Sequence, residues 1–209
     1  PPRDYGALTK IKSYLASTGA MTAMTFALGG LAVWMPSFLN RTWGLSVGEA
    51  GTVFGGITVV AGLIGSLLGG WLGDRLLRVT GKAYFLVSGA GLLLAFPAGC
   101  AAILAPSLEL TLAAVFVTEM FAFLNMGPLN GVIVSVTAAP VRSMAFAANI
   151  FVIHALGDAL SPTLIGWVSD LWGLRPALLG SMAFLGLAGL LCLWGAKYVE
   201  GDSKEHADA

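Results

Sequence analysis

The sequence predicts an all-α membrane protein with six transmembrane helices. Three observations carry this: only 11% of the residues are charged, 57% are hydrophobic, and the mean hydropathy is +0.85. A soluble domain carries about 25% charged residues, so this chain has too few to cover a globule and must be solvated by lipid. Its formal net charge is zero, with no basic patch outside the loops, so nucleic acid is excluded as a partner.

Six apolar stretches reach the roughly 20 residues needed to cross the hydrocarbon. They cover residues 13–39, 47–72, 83–105, 108–136, 143–171 and 176–196. Connections between them are short, which forces sequential spans into antiparallel neighbours. Residues 1–12 read as a cytoplasmic linker. They begin Pro-Pro-Arg-Asp without the h-region or cleavage site of a signal peptide, as in a piece of a longer chain.

The first span carries Thr18, Thr22 and Thr25 at steps of four and three. Such a stripe either lines a cavity or bonds back to its own helix, the commoner case. The second span places Gly51, Gly55, Gly62, Ser66, Gly69 and Gly73 at spacings of four or seven, and Gly65 adds a GxxxG with Gly69. Small residues on one stripe let two backbones approach closely in lipid, where no hydrophobic effect drives helices together. Cys100 in the third span and Cys192 in the sixth read as small core residues rather than a disulfide or metal pair. The tail, residues 197–209, is polar and is expected to be disordered and cytoplasmic.

The fourth and fifth spans hold the groups that matter most. Glu119, Asn125 and Asn130 lie in the fourth, His154 and Asp158 in the fifth, with Pro128 and Pro162 beside them. A charged side chain at the bilayer centre costs about 2.5–3.5 kcal/mol even on the mild insertion scale, so such a residue is by default a candidate functional site. On an ideal helix Glu119 and Asn130 share one face and Asn125 points elsewhere, although Pro128 frees a carbonyl and can bend the helix. His154, Asp158 and Ser161 follow at four and three and form one polar stripe. A His–Asp pair facing a cavity can exchange protons near neutral pH. Glu119, His154 and Asp158 are therefore the candidate proton-coupling groups. Together with Asn125 and Asn130 they are the candidate substrate-binding groups.

Basic residues set the orientation. An even number of spans leaves both termini on one side. Arg3, Lys10, Lys12, Arg75, Arg78, Lys82, Arg142, Lys197 and Lys204 fall there, and Arg41 and Arg175 fall opposite. By the positive-inside rule both termini are cytoplasmic, in a plasma membrane or a bacterial inner membrane.

A repeat is visible across three helices. Gly70-Trp71-Leu72-Gly73-Asp74 closes the second span, and Gly166-Trp167-Val168-Ser169-Asp170 closes the fifth. The copies point opposite ways through the membrane, as in inverted three-helix repeats.

The loop after the second span, GGWLGDRLLRVTGK, resembles motif A of the major facilitator superfamily at Gly70, Asp74, Arg75 and Arg78. It departs at Leu77 and Val79, where that motif has a glycine and a base. By this resemblance Gly70, Asp74, Arg75 and Arg78 would form a conformational latch on the cytoplasmic side. The alternative is a solvated loop that only sets topology. A longer resemblance, over nearly the whole chain, is to the second half of the Spinster family within that superfamily. It rests on TFALGGLAVWMPSFLNR in the first span, on Glu119, Phe123, Asn125, Gly127, Pro128 and Asn130, and on His154, Gly157, Asp158, Ser161 and Pro162.

The resemblance implies one half of a major facilitator fold built from two inverted three-helix repeats. It implies alternating-access transport of a lysolipid or sphingolipid-like amphiphile with membrane lipids as surroundings, and the placement of Glu119, His154 and Asp158 adds protons as the expected coupling partner. The missing wall of the cavity would come from an N-terminal six-helix half. A facilitator for another organic anion is the nearest alternative, and a non-transporting interaction subunit or truncated paralogue the next. An enzyme is disfavoured: there is no GxSxG, no nucleophile beside a base and no metal-ligand spacing, so neither cofactor nor metal is expected.

Overall fold

The computed structural model describes residues 6–207, with side chains to Lys204; Arg3 and the ends of the predicted linker and tail lie outside them. Among the described residues the chain is helical and crosses a membrane-sized thickness six times. The first three spans are single helices: α1 (Lys12–Trp43), α2 (Val47–Leu77) and α3 (Ala83–Leu104). The fourth is α4 (Leu108–Phe123) followed by α5 (Met126–Val136). The fifth opens with a 3-10 turn (Ala139–Val141), runs through α6 (Arg142–Ile153), widens into a π-turn (His154–Asp158) and ends as α7 (Ser161–Trp172). The sixth is α8 (Leu174–Gly195), and α9 (Val199–Ala207) follows it.

The core lies where α8 packs between α1 and α3. Phe85, Leu92, Met35, Leu178 and Met182 are fully buried there, and Phe26 of α1 stacks on Phe184 of α8 with ring centroids 4.1 Å apart. The second and fifth spans are different. Only 22% and 17% of their apolar windows are buried inside the bundle, against 39–44% for the other four. Both therefore turn a broad face outward.

The glycine stripe of α2 packs in part as expected. Gly65, Gly69 and Gly73 are buried, and a Cβ on Gly69 would run into the backbone carbonyl of Leu124. That carbonyl is free because Pro128, four residues on, has no N–H to donate to it. The fourth span breaks at this point. Leu124 N–H turns back to the Phe121 carbonyl at 3.4 Å, and regular bonding resumes from Leu129 N–H to Asn125 O at 2.9 Å. Gly51 and Gly55, by contrast, have open space beside them. They take no part in packing within the bundle.

The bend that Pro128 permits is a full break in the fourth span, and the fifth is interrupted likewise just ahead of Pro162. One expectation is corrected: the tail, expected to be disordered, forms α9. Val199 is 4% exposed, and Lys12 Nζ stands 4.6 Å from the Tyr198 ring centroid. The Asp202 carboxylate accepts from Ser13 N–H at 2.8 Å and from Ser13 Oγ–H at 2.7 Å. Helix α1 lacks a local cap, since Ile11 stands at its N-cap position. The tail supplies an acid to the orphan donors and the positive end of the helix dipole.

Candidate functional site

A cavity of about 320 Å³ opens between α1, α2, the end of α4 and the π-turn. Three of the five sequence-predicted binding residues line it: Glu119, His154 and Asp158. Their depth follows from helix rise. Glu119 is 11 residues from the start of α4 and Thr58 is 11 residues from the start of α2. At about 1.5 Å per residue both lie roughly 16 Å in, close to the middle of a hydrocarbon layer about 30 Å thick.

Glu119 is 2% exposed. Its Oε1 lies 3.0 Å from Thr58 Oγ1, which also lies 3.0 Å from the Phe54 carbonyl. Its Oε2 is buried with no hydrogen-bond partner. A hydroxyl has one hydrogen to give and two lone pairs, so this arrangement serves either protonation state. With Glu119 ionised, Thr58 donates to Oε1. With Glu119 protonated there, Thr58 accepts from it and donates to Phe54 O. Thr58 was not singled out from the sequence. Its signal was faint: it continues the four-residue ladder of Ala50 and Phe54, which face inward.

His154 Nδ1 and Asp158 Oδ2 are 2.9 Å apart, with side chains 58% and 40% exposed. The π-turn brings them together: Ala159 N–H bonds the His154 carbonyl, five residues back, at 3.0 Å. Pro162 has no donor for the Asp158 carbonyl, four residues before it, and the wider turn occupies that weak point in the ladder. α1 accommodates the bulge through small residues. A Cβ on Gly157 would meet the Thr25 side chain at 3.0 Å. Trp34 Nε1–H fixes the far side by donating to the Pro162 carbonyl at 2.9 Å.

Asn125 and Asn130 are not brought to the cavity. Asn125 is fully buried at the break between α4 and α5, donates to the Ala122 carbonyl and leaves Oδ1 unpartnered. Asn130 donates to the Met126 carbonyl at 2.6 Å. Both amides bond their own helix. Of the threonines on α1, Thr25 lines the cavity, whereas Thr22 donates back to the Thr18 carbonyl at 2.7 Å. Asn149 also escaped notice: it is 1% exposed and reaches Met21, a lining residue, from beneath.

The remaining wall is apolar, with Met21, Met24, Phe54, Phe123 and Met126 prominent and neither Lys nor Arg among the lining residues. Among the described residues no group of His, Cys, Asp and Glu could hold a metal ion. The chamber thus offers two carboxyl groups, an imidazole and two threonine hydroxyls inside a soft apolar shell. It can exchange protons and seat an apolar chain.

The four predicted latch residues sit at the far end of α2. Asp74, Arg75 and Arg78 line a small groove with Trp71. Asp74 Oδ1 accepts from Tyr84 Oη–H at 2.8 Å, and the Arg75 guanidinium lies 5.6 Å from the Trp71 ring centroid. Gly70 leaves the space beside it open. In the matching copy, Trp167 is 63% exposed against 57% for Trp71, so both tryptophans stand on the bundle's outer surface.

Comparison with known proteins gives three further findings. The model of the Organic Anion Transporter Polypeptide (OATP) family matches residues 3–104. The chain is 33% identical over 204 residues to Protein spinster homolog 1 of Xenopus tropicalis, covering 90% of this chain and 39% of that protein. It is 30% identical over 210 residues to the sphingosine-1-phosphate transporter SPNS2 of the same organism, covering 91% and 40%. Its fold matches the crystal structure of a bacterial homolog to the human lysosomal transporter Spinster, in an inward-facing and unoccupied conformation. The TM-score is 0.85 at 20% identity, over 96% of this chain and 50% of that one. The chain spans about two fifths of the length of these curated relatives and half of the solved one.

Proposed function

Because the chain belongs to the Spinster family, and its fold is that of a major facilitator transporter half, we propose that it is the C-terminal half of a secondary transporter. In this reading it moves a lysolipid or sphingolipid-like amphiphile by alternating access, coupled to protons through Glu119, His154 and Asp158. The partner is an N-terminal six-helix half, and the outward faces of the second and fifth spans are the surfaces that meet it. Both termini are cytoplasmic, in a plasma membrane or a bacterial inner membrane.

One observation carries this reading: three ionisable side chains share one mid-membrane chamber whose other walls are apolar. Groups that expensive in lipid are kept where they meet a cavity or one another, and a mainly apolar chamber with a few ionisable groups suits an amphiphile. Asp74, Arg75 and Arg78, with Gly70 leaving room beside them, act as a latch that opens and closes during the cycle.

A second reading has its own support. The OATP model match over residues 3–104 favours an organic anion as substrate. The anion would need a Lys or Arg from the other half, since this wall has neither.

The deciding experiment is proton-driven uptake of a labelled lysolipid into proteoliposomes by the complete transporter that contains this chain. Uptake that follows an imposed proton gradient supports the proposal. Uptake of organic anions in preference to every lysolipid would favour the second reading.

A further inference from the structure

We propose that a groove between α7 and α8 seats one acyl chain of an anionic phospholipid, whose phosphate is held by Arg175. The inference goes beyond the transporter reading and depends only on the chain spanning a membrane. The groove encloses about 300 Å³ and shares no lining residue with the chamber. Its walls are Leu164, Val168 and Trp172 of α7 and Pro176, Gly180 and Phe184 of α8. Eight residues separate the first and last of each set, which at about 1.5 Å per residue is roughly 12 Å on both helices. The groove therefore starts at the turn joining the two helices, at the end of the bundle opposite the termini. It runs through most of one leaflet's hydrocarbon, half of a layer about 30 Å thick. The stacked rings of Phe26 and Phe184 close its inner end.

The open side faces lipid. Pro176, Gly180, Ala183, Leu187 and Leu190 follow at steps of four and three along α8 and are all exposed. This stripe lies on the sixth span, not on the second or fifth span proposed to meet the partner half. A volume of about 300 Å³ spread over roughly 12 Å leaves a cross-section of about 25 Å², far too narrow for a helix about 10–12 Å across. A single hydrocarbon chain is the occupant of that width. The walls ask for nothing polar: Ser181, the one hydroxyl in the lining, gives its hydrogen to the Leu178 carbonyl at 2.7 Å.

The outer end supplies a cation. Arg175 stands in the first turn of α8 beside Pro176 and is exposed. Of the other basic residues only Arg41 falls at that end of the bundle. The Arg175 guanidinium lies 5.9 Å from the Phe38 ring centroid, and among the described residues no carboxylate pairs with it. Asp170, two residues before Trp172, is turned to the opposite face of α7 from the groove. An unpaired guanidinium at the membrane surface presents a planar fork that matches a phosphate. The exposed Trp172 ring beside it is of the type that settles at headgroup level. Seating a chain gains only dispersion, because the lipid it leaves is equally apolar. The phosphate contact therefore carries the selectivity.

The test counts lipids on the complete protein that contains this chain. Native mass spectrometry in detergent follows titration with phosphatidylglycerol and, separately, with phosphatidylcholine of the same acyl chains. The parent should bind phosphatidylglycerol several-fold more tightly. Gly180→Phe puts a ring into the groove and should carry one phosphatidylglycerol fewer at equal lipid. Nothing lies within 4 Å of a Cβ built at Gly180, so Gly180→Ala should bind as the parent does. Arg175→Gln should need about tenfold more phosphatidylglycerol for the same occupancy, the scale of one lost charge-assisted contact. This exposed substitution keeps the test decisive if the Phe variant does not fold. Equal lipid counts on the parent and Gly180→Phe, parent-like binding by Arg175→Gln, or equal binding of the two lipids would each overturn the proposal.

Discussion

Gly29 of α1 lies directly against Asp158 of the π-turn: a Cβ added at Gly29 would stand 2.6 Å from the Asp158 Cβ and 2.7 Å from its Cα. The second contact is with backbone, which cannot swing aside as the end of a long side chain can. The absence of a side chain on α1 is therefore what lets the fifth span bring His154 and Asp158 into the chamber.

Gly29→Ala should push the two helices apart and cost about 1–3 kcal/mol, the usual range for overpacking. The melting temperature of the purified chain should fall by several degrees, at roughly 2–4 °C per kcal/mol for a chain of this size. Gly51→Ala is the control, because nothing lies within 4 Å of its added Cβ. It should melt no lower than the parent, since alanine is the better helix former. An unchanged melting temperature for Gly29→Ala would mean that the bulge moves freely and that Gly29 does not hold Asp158 in place.

Glu119→Gln separates a transport role from a packing role. Glutamine keeps the side-chain length and can still bond Thr58, so the change in stability should stay within about 1.5 kcal/mol, the scale of one hydrogen bond. Proton-driven uptake by the complete transporter should nevertheless vanish. A residue that merely glues helices together predicts the reverse, poor folding with whatever activity survives. Melting curves and uptake measured on the same preparations distinguish the two.

Much of this was legible in the sequence, and the losses have a common cause. The spans were readable because their apolar length is local. The His154–Asp158 pair was readable because four residues is a local distance in any helix. Which faces meet across helices is not local. The ideal count that put Glu119 and Asn130 on one face fails once the fourth span breaks at Leu124 and Asn125, so Asn130 turns to its own backbone and Met126 takes the cavity position. Thr58 was overlooked for a related reason: within α2 only the faint ladder of Ala50 and Phe54 marks it, and it is the rotation of α2 against α4 that gives it Glu119. The tail was misjudged because composition counts polar residues without asking whether an uncapped helix end is waiting for one.

Asp202 should matter far more than its place in a polar tail suggests. Asp202→Ala removes both acceptor contacts to Ser13 and exposes the N-terminus of α1, at a cost of about 0.5–2 kcal/mol, typical for a lost cap. Hydrogen exchange should speed up in the first turn of α1 and leave the opposite end of that helix unchanged. Faster exchange along the whole helix would instead mean that α9 holds the bundle together.

Tyr84 offers a way to test the latch without touching a charged residue. Its ring fills the space beside Gly73 of α2 and Gly131 of α5, where added Cβ atoms would meet it at 2.8 Å and 2.5 Å, and its hydroxyl holds Asp74. Tyr84→Phe keeps the ring and frees the acid. The loss in stability should be about 0.5–1.5 kcal/mol, the net worth of one hydrogen bond. If Asp74 must change partners during the cycle, freeing it removes one competing bond. The balance between conformations should shift, read as a changed uptake rate with unchanged substrate affinity. Tyr84→Ala, by contrast, also removes the wedge between α2 and α5 and should destabilise the bundle by a further few kcal/mol. Tyr84→Phe that transports at the parent rate, with Asp74→Asn doing the same, would reduce the motif to a topological signal.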